Sequence, residues 1–94
     1  MSVSQEVVIE YGDRRLRATA MDVSERGMSV WVSDKAPHEP LRITMAVDNR
    51  PVILSGQVAR EFESDGGGVW GIEFEAHEDT ESYQILKAVI EAQS

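Results

Sequence analysis

The sequence predicts an all-β fold: a six-stranded antiparallel barrel with one C-terminal α-helix. Three observations lead there. Six stretches between about residues 6 and 76 alternate apolar and polar side chains, the period of two that a half-buried strand requires. Turn-forming clusters separate most of them, short enough for antiparallel neighbours. From about residue 79 to 92 the apolar period changes to 3.6, that of an amphipathic helix. A closed barrel is favoured over an open sheet because closure pairs the edges that otherwise promote aggregation.

The first strand is Glu6 to Tyr11, with Val7, Ile9 and Tyr11 on one face. Gly12-Asp13 breaks it with a tight turn. Arg14 to Val23 is the second strand; Leu16, Ala18 and Ala20 point one way, and Arg15, Arg17, Thr19 and Met21 the other. Ser24 to Gly27 turns the chain again. Met28 to Ser33 follows, with Met28, Val30 and Val32 toward the core and Ser29, Trp31 and Ser33 away from it. Asp34 to Pro40, with two prolines, is a loop.

Leu41 to Val47 is the fourth strand, with Leu41, Ile43, Met45 and Val47 inward. Asp48 to Pro51 turns into the fifth, Val52 to Glu61, where Gly56 predicts a bulge or a close approach. Glu63 to Gly68 is an acidic, glycine-rich hairpin connection. It lacks the Gly-Lys-Ser/Thr ending of a phosphate-binding loop, and its acids repel phosphate. Val69 to Ala76 is the sixth strand, with Trp70, Ile72, Phe74 and Ala76 inward. In the helix, Tyr83, Leu86, Val89 and Ile90 form one stripe with Ile85 at its border. Glu78, Asp79 and Glu81 suit its positive N-terminal end, and Asp79 or Thr80 is the expected cap.

Ninety-four residues suit a single domain, expected to cover 1–94. With no cysteine there is neither a disulfide nor a thiolate metal site. No apolar run approaches the roughly 18 residues of a membrane span, and no secretory leader is present, so no membrane insertion and a cytoplasmic location are expected. The formal net charge of −8 argues against nucleic-acid binding, which needs a basic surface to neutralise phosphates. Arg14-Arg15-Leu16-Arg17 is the local exception, read as a solvated hairpin end.

No enzyme is indicated. His38 and His77 stand far apart, with no second ligand at metal spacing. The clusters Glu61/Glu63/Asp65 and Glu78/Asp79/Glu81 read as solvated charge, and no nucleophile has a base at a recognisable spacing. No catalytic residue and no metal ligand is therefore assigned.

The stretch with most chemical content is Asp22-Val23-Ser24-Glu25-Arg26-Gly27 at the junction of two strands. Taken by itself it is an ordinary turn, in which Gly supplies positive φ and Asp and Ser bond local amides. Together with Gly71-Ile72-Glu73-Phe74 in a late strand, it resembles the PilZ family, whose domains sense the bacterial messenger cyclic di-GMP. The resemblance covers nearly the whole chain and implies the barrel-plus-helix fold. By position it implies a ligand-contacting role for Asp22 and Ser24 and a tight backbone turn at Gly27. Arg26 either reaches a phosphate or pairs with Glu25 in solvent.

The family's second signature, Arg-x-x-x-Arg ahead of the first strand, is absent from Met1-Ser2-Val3-Ser4-Gln5. Such arginines hold phosphate and guanine through charge-assisted bonds. At roughly 1.5 to 3 kcal/mol each, losing two costs about two to four decades of affinity. Arg14, Arg15 and Arg17 are poor substitutes: Arg14 and Asp22 stand about 26 Å apart along one strand, at opposite ends.

The expected function is thus a non-enzymatic bacterial regulatory adaptor of PilZ type. It acts through protein–protein contacts in motility, pilus or exopolysaccharide control, without a cofactor and with weak or no cyclic di-GMP binding. The alternative is a genuine cyclic di-GMP receptor using the Asp22-Ser24-Gly27 turn, with the missing cations supplied by a partner or second subunit. A third reading is an unrelated small barrel serving as an enzyme subunit. Trp31 and Met21, both expected outward, are the candidate partner-binding residues; for Trp31 the competing reading is that the C-terminal helix packs over it.

Overall fold

The computed structural model describes residues 2–47, 49–64, 66–75 and 81–93. Its elements are β1 (Ser2–Tyr11), β2 (Arg14–Val23), β3 (Gly27–Val32), β4 (Leu41–Val47), β5 (Arg50–Ser64), β6 (Gly67–Phe74) and α1 (Glu81–Gln93). The strands close into a barrel in the order β1-β2-β3-β6-β5-β4, every pairing antiparallel. Closure is made by β1 on β4, where Ile9 stands opposite Ile43. The order is not a simple meander. Residues 33–40 carry the chain from β3 to β4, and the β5–β6 hairpin fills the gap between those two strands.

The expected facing holds through the core. Val7, Ile9, Ala18, Ala20, Met28, Val30, Val32, all four alternate residues of β4, and Trp70, Ile72 and Phe74 are buried; Tyr11 and Leu16 are half-buried. Fully burying one such large aliphatic or aromatic side chain contributes about 1.5 to 3 kcal/mol, so the alternation is the main source of the fold's stability. Trp70 is wholly buried, yet its indole N–H is satisfied, donating to the Asp34 carbonyl at 3.2 Å. Tyr11 packs on it at a tilt of 60°, ring centroids 6.4 Å apart.

Two strands run longer than their alternation indicates. β1 begins at Ser2 rather than Glu6, because Ser2 pairs with Asp22 beyond a bulge at residues 2–5. β5 begins at Arg50 and reaches Ser64, in place of 52–61. It is long because it serves two neighbours in succession. Residues 50–56 pair with β4 and residues 56–64 with β6, so Gly56 lies opposite both Leu41 and Phe74. A Cβ on Gly56 would stand 2.5 Å from the Glu73 carbonyl oxygen; the glycine marks the close approach, and the bulge falls nearby at Ala59.

The helix packs against β5 and β4 through the buried Leu86, flanked by half-buried Tyr83, Ile85, Val89 and Ile90. Ser82 Oγ accepts the Ile53 amide at 3.0 Å and ties the first turn to β5. The expected inward Ala76, the helix cap at Asp79 or Thr80, and His77 lie outside the described residues. No helix among the described residues is long and apolar enough to cross a membrane.

Candidate functional site

The β2–β3 turn is built around the Ser24 hydroxyl. Ser24 Oγ accepts from the Arg26 and Gly27 amides, each at 3.3 Å, while the Ser24 amide donates to the Gly27 carbonyl at 2.8 Å. The Arg26 carbonyl accepts the Phe74 amide at 2.8 Å, which fastens the turn to the end of β6. The serine oxygen therefore points into the turn and organises its backbone.

Gly27 is required for a different reason from the one its turn position implied. The glycines with positive φ are Gly12 and Gly66, and Gly27 is not among them. A Cβ on Gly27 would instead stand 2.1 Å from the Ile72 carbonyl oxygen. The residue is a point of close approach between β3 and β6, where any side chain collides with backbone.

Asp22 faces outward because β2 carries a bulge. Ala20 pairs with Val30 but Asp22 with Ser29, which leaves Met21 unpaired as the extra residue. Strict alternation from Ala18 and Ala20 would have sent Asp22 into the core. The bulge buries Val23 and exposes Asp22 instead.

Beside the turn is an open groove of about 820 Å³, lined by the motif from Asp22 to Gly27, by Ser29, Gly71, Glu73, Glu75 and Arg60, and by Tyr83 from α1. Cross-strand pairing explains the floor. Asp22, Ser29, Gly71 and Arg60 stand side by side across β2, β3, β6 and β5 on the outer face. Asp22, Ser24, Arg26 and Gly27 all line this groove. Arg60, Glu73 and Glu75 were not legible, because strand order places them there and no local pattern does.

Two arginines and four carboxylate residues line the groove, a formal excess of two negative charges. Arg14 and Arg17 pair elsewhere: Arg14 meets Asp34 at 2.6 Å, and Arg17 approaches Glu6 at 3.8 Å. Arg14, Arg15 and Arg17 do not line the groove. Among the described residues no group of His, Cys, Asp or Glu is arranged to hold a metal ion.

Trp31 lies on the barrel exterior, 37% exposed, and α1 packs elsewhere, on β5 and β4. Its neighbour on β2 is Thr19; half-buried Met21 sits at the bulge beyond it. The apolar continuation of Trp31 runs the other way. Val69 stands opposite Trp31, and Phe62, 58% exposed, stands opposite Val69. The sequence offers a signal for Phe62 only if β5 is extended past Glu61.

The fold matches solved structures across its whole length. The PilZ domain of CeSA from a cellulose-synthesizing bacterium superposes with a TM-score of 0.74 at 17% identity, over 100% of this chain and 97% of that one. The Bacillus subtilis inhibitor of motility, MotI/DgrA, also gives 0.74, at 19% identity, over 99% of this chain and 48% of that one. This chain thus spans about half the length of MotI/DgrA. No curated protein matches it. The family model for the PilZ domain matches residues 1–92, and with the closed six-stranded barrel and C-terminal helix this places the chain in the PilZ family of regulatory binding domains.

Proposed function

We propose that this PilZ domain is a cytoplasmic, non-enzymatic regulatory adaptor that works through protein contacts and binds cyclic di-GMP weakly or not at all. The observation that carries the reading is the charge of the groove. Four carboxylates against two arginines oppose a ligand with two phosphates. The Ser24 hydroxyl, engaged with two amides of its own turn, supports the same reading. So does the outer row in which half-buried Val69 joins exposed Trp31 and Phe62, since aromatic side chains on a surface are common anchors of protein interfaces. Control of motility, pili or exopolysaccharide is the process that suits the family, and one structural neighbour is by name an inhibitor of motility.

The alternative, a genuine cyclic di-GMP receptor, is favoured by one observation: Arg26 and Arg60 both line the groove and are both exposed. Calorimetric titration with cyclic di-GMP at tens of micromolar protein separates the two. The adaptor reading expects no saturable heat. A stoichiometric isotherm that disappears in Asp22→Ala and Arg60→Ala variants establishes the receptor instead.

A further inference from the structure

We infer that the groove and its aromatic flank form a docking face for a lysine- or arginine-rich segment of a partner protein that also carries apolar side chains. The inference rests on the adaptor reading and names the chemistry of the partner.

Three parallel rows cross the outer face of β2, β3, β6 and β5. The first is Trp31, Val69 and Phe62; the second has Ser29 and Gly71 at its centre; the third places Glu73 beside Gly27. Successive rows are about 7 Å apart, two residues along a strand. The middle row has a serine and a glycine at its centre, and the Arg60 stem lies along the glycine. It is bounded by an apolar row on one side and by acids on the other. A segment seated there buries apolar side chains against Trp31 and Phe62 while its cations meet Glu73, Glu75 and Glu25.

Charge selects the occupant. The face has an excess of carboxylates, and the chain carries a formal charge of −8. Nucleic acid and an anionic membrane are repelled. A second copy is disfavoured because two faces of the same sign would meet. The two arginines leave the carboxylates in excess, four to two; the Arg60 stem lies along Gly71, with Nε 3.8 Å from the place a Cβ would take there, so the partner's cations are seated at Glu73 and Glu25 and not over Gly71.

The probe is a short synthetic peptide of lysines and leucines, titrated into the folded domain while backbone amide shifts are followed by NMR. Saturable shifts are expected at Ser29, Gly71 and Glu73. Glu73→Lys and Gly71→Gln should each weaken binding about tenfold or more, the effect of altering a central contact. A Cβ at Gly71 has only ordinary contacts, the nearest at 3.6 Å, so the Gly71→Gln side chain starts from the floor without a backbone clash, and its thermal transition is checked against the unsubstituted domain. Phe62→Ser, at a 58% exposed position, should weaken binding with no loss of stability. Glu91→Lys makes the same charge change on exposed α1 and should alter binding less than about twofold, because that site lies outside the face.

Equal weakening by Glu73→Lys and Glu91→Lys overturns the proposal, since it indicates diffuse attraction to an acidic protein. So does an absence of shifts in the three rows. The same samples are titrated with cyclic di-GMP. Failure of the peptide with no messenger binding removes the docking face alone, whereas a messenger that saturates the groove and displaces the peptide removes the adaptor reading itself.

Discussion

Gly27 and Ile72 approach so closely that a Cβ on the glycine would stand 2.1 Å from the Ile72 carbonyl oxygen. The motif's glycine is thereby a packing requirement between β3 and β6, at two residues more than forty positions apart in the chain. A residue of the family motif is at once a residue that the β3–β6 pairing needs.

Gly27→Ala is therefore expected to destabilise the domain by about 2 to 3 kcal/mol, the range of core overpacking against an unyielding neighbour. Gly71→Ala, one row away, should change stability by less than about 1 kcal/mol, because its Cβ meets only ordinary contacts. Urea unfolding of the two variants checks the contrast. Equal effects would contradict it.

Ser24→Ala removes an acceptor shared by two turn amides at 3.3 Å. These are long bonds at an exposed site, so the loss should be about 0.5 to 1 kcal/mol. Amide hydrogen exchange should quicken at Arg26 and Gly27 and stay unchanged in β4. Unchanged exchange at the turn would show that the hydroxyl does not hold it.

The two tryptophans should behave as opposites. Trp70→Ala empties the centre of the barrel and orphans the packing of Tyr11, at a cost of about 3 to 5 kcal/mol. Trp31→Ala, on the outer face, should cost about 1 kcal/mol or less and leave a cooperative thermal transition. Gly67 links Trp31 to the backbone, since a Cβ there would stand 2.9 Å from the indole Cζ2 and 2.7 Å from the Val32 carbonyl oxygen. Gly67→Ala should thus shift Trp31 emission to the red and lower the melting temperature. Unfolding of Trp31→Ala would place that indole in the stabilising core.

Leu86 is the buried anchor of α1. Leu86→Ala should cost about 2 to 4 kcal/mol and release the helix from β5 and β4. Ser82→Ala should cost about 1 kcal/mol, because the Ile53 amide loses its partner but stays near solvent. Far-ultraviolet circular dichroism at rising urea resolves the two, and loss of helix before barrel is the expected order.

Much of this architecture was legible because burial imposes a period. β2 and β4 have the bounds that alternation assigns them, and the buried apolar side chains of β3, β4 and β6 were all read as inward, although β6 starts at Gly67, inside the stretch read as a connection. What escaped was non-local. The β1 extension exists only because Ser2 meets Asp22, and the end of β5 only because β6 continues beside it. Met21 gave no local sign that it would bulge, yet that one extra residue turns Asp22 out to the groove. Arg60 reaches the same groove from β5, and a reading of the motif alone has no means of including it.

By itself the order of residues determined that this chain is a barrel with a terminal helix, that its core is apolar, and that one turn carries a family signature. Those properties follow from local chemistry: side-chain period, turn residues and charge are written along the chain. Only the tertiary structure decided which side chains share the groove, that Gly27 is kept small by Ile72, and that Trp31, Val69 and Phe62 form one surface. The physical reason is that these depend on strand order and on single-residue shifts of register, which arise when distant segments satisfy one another's backbone hydrogen bonds.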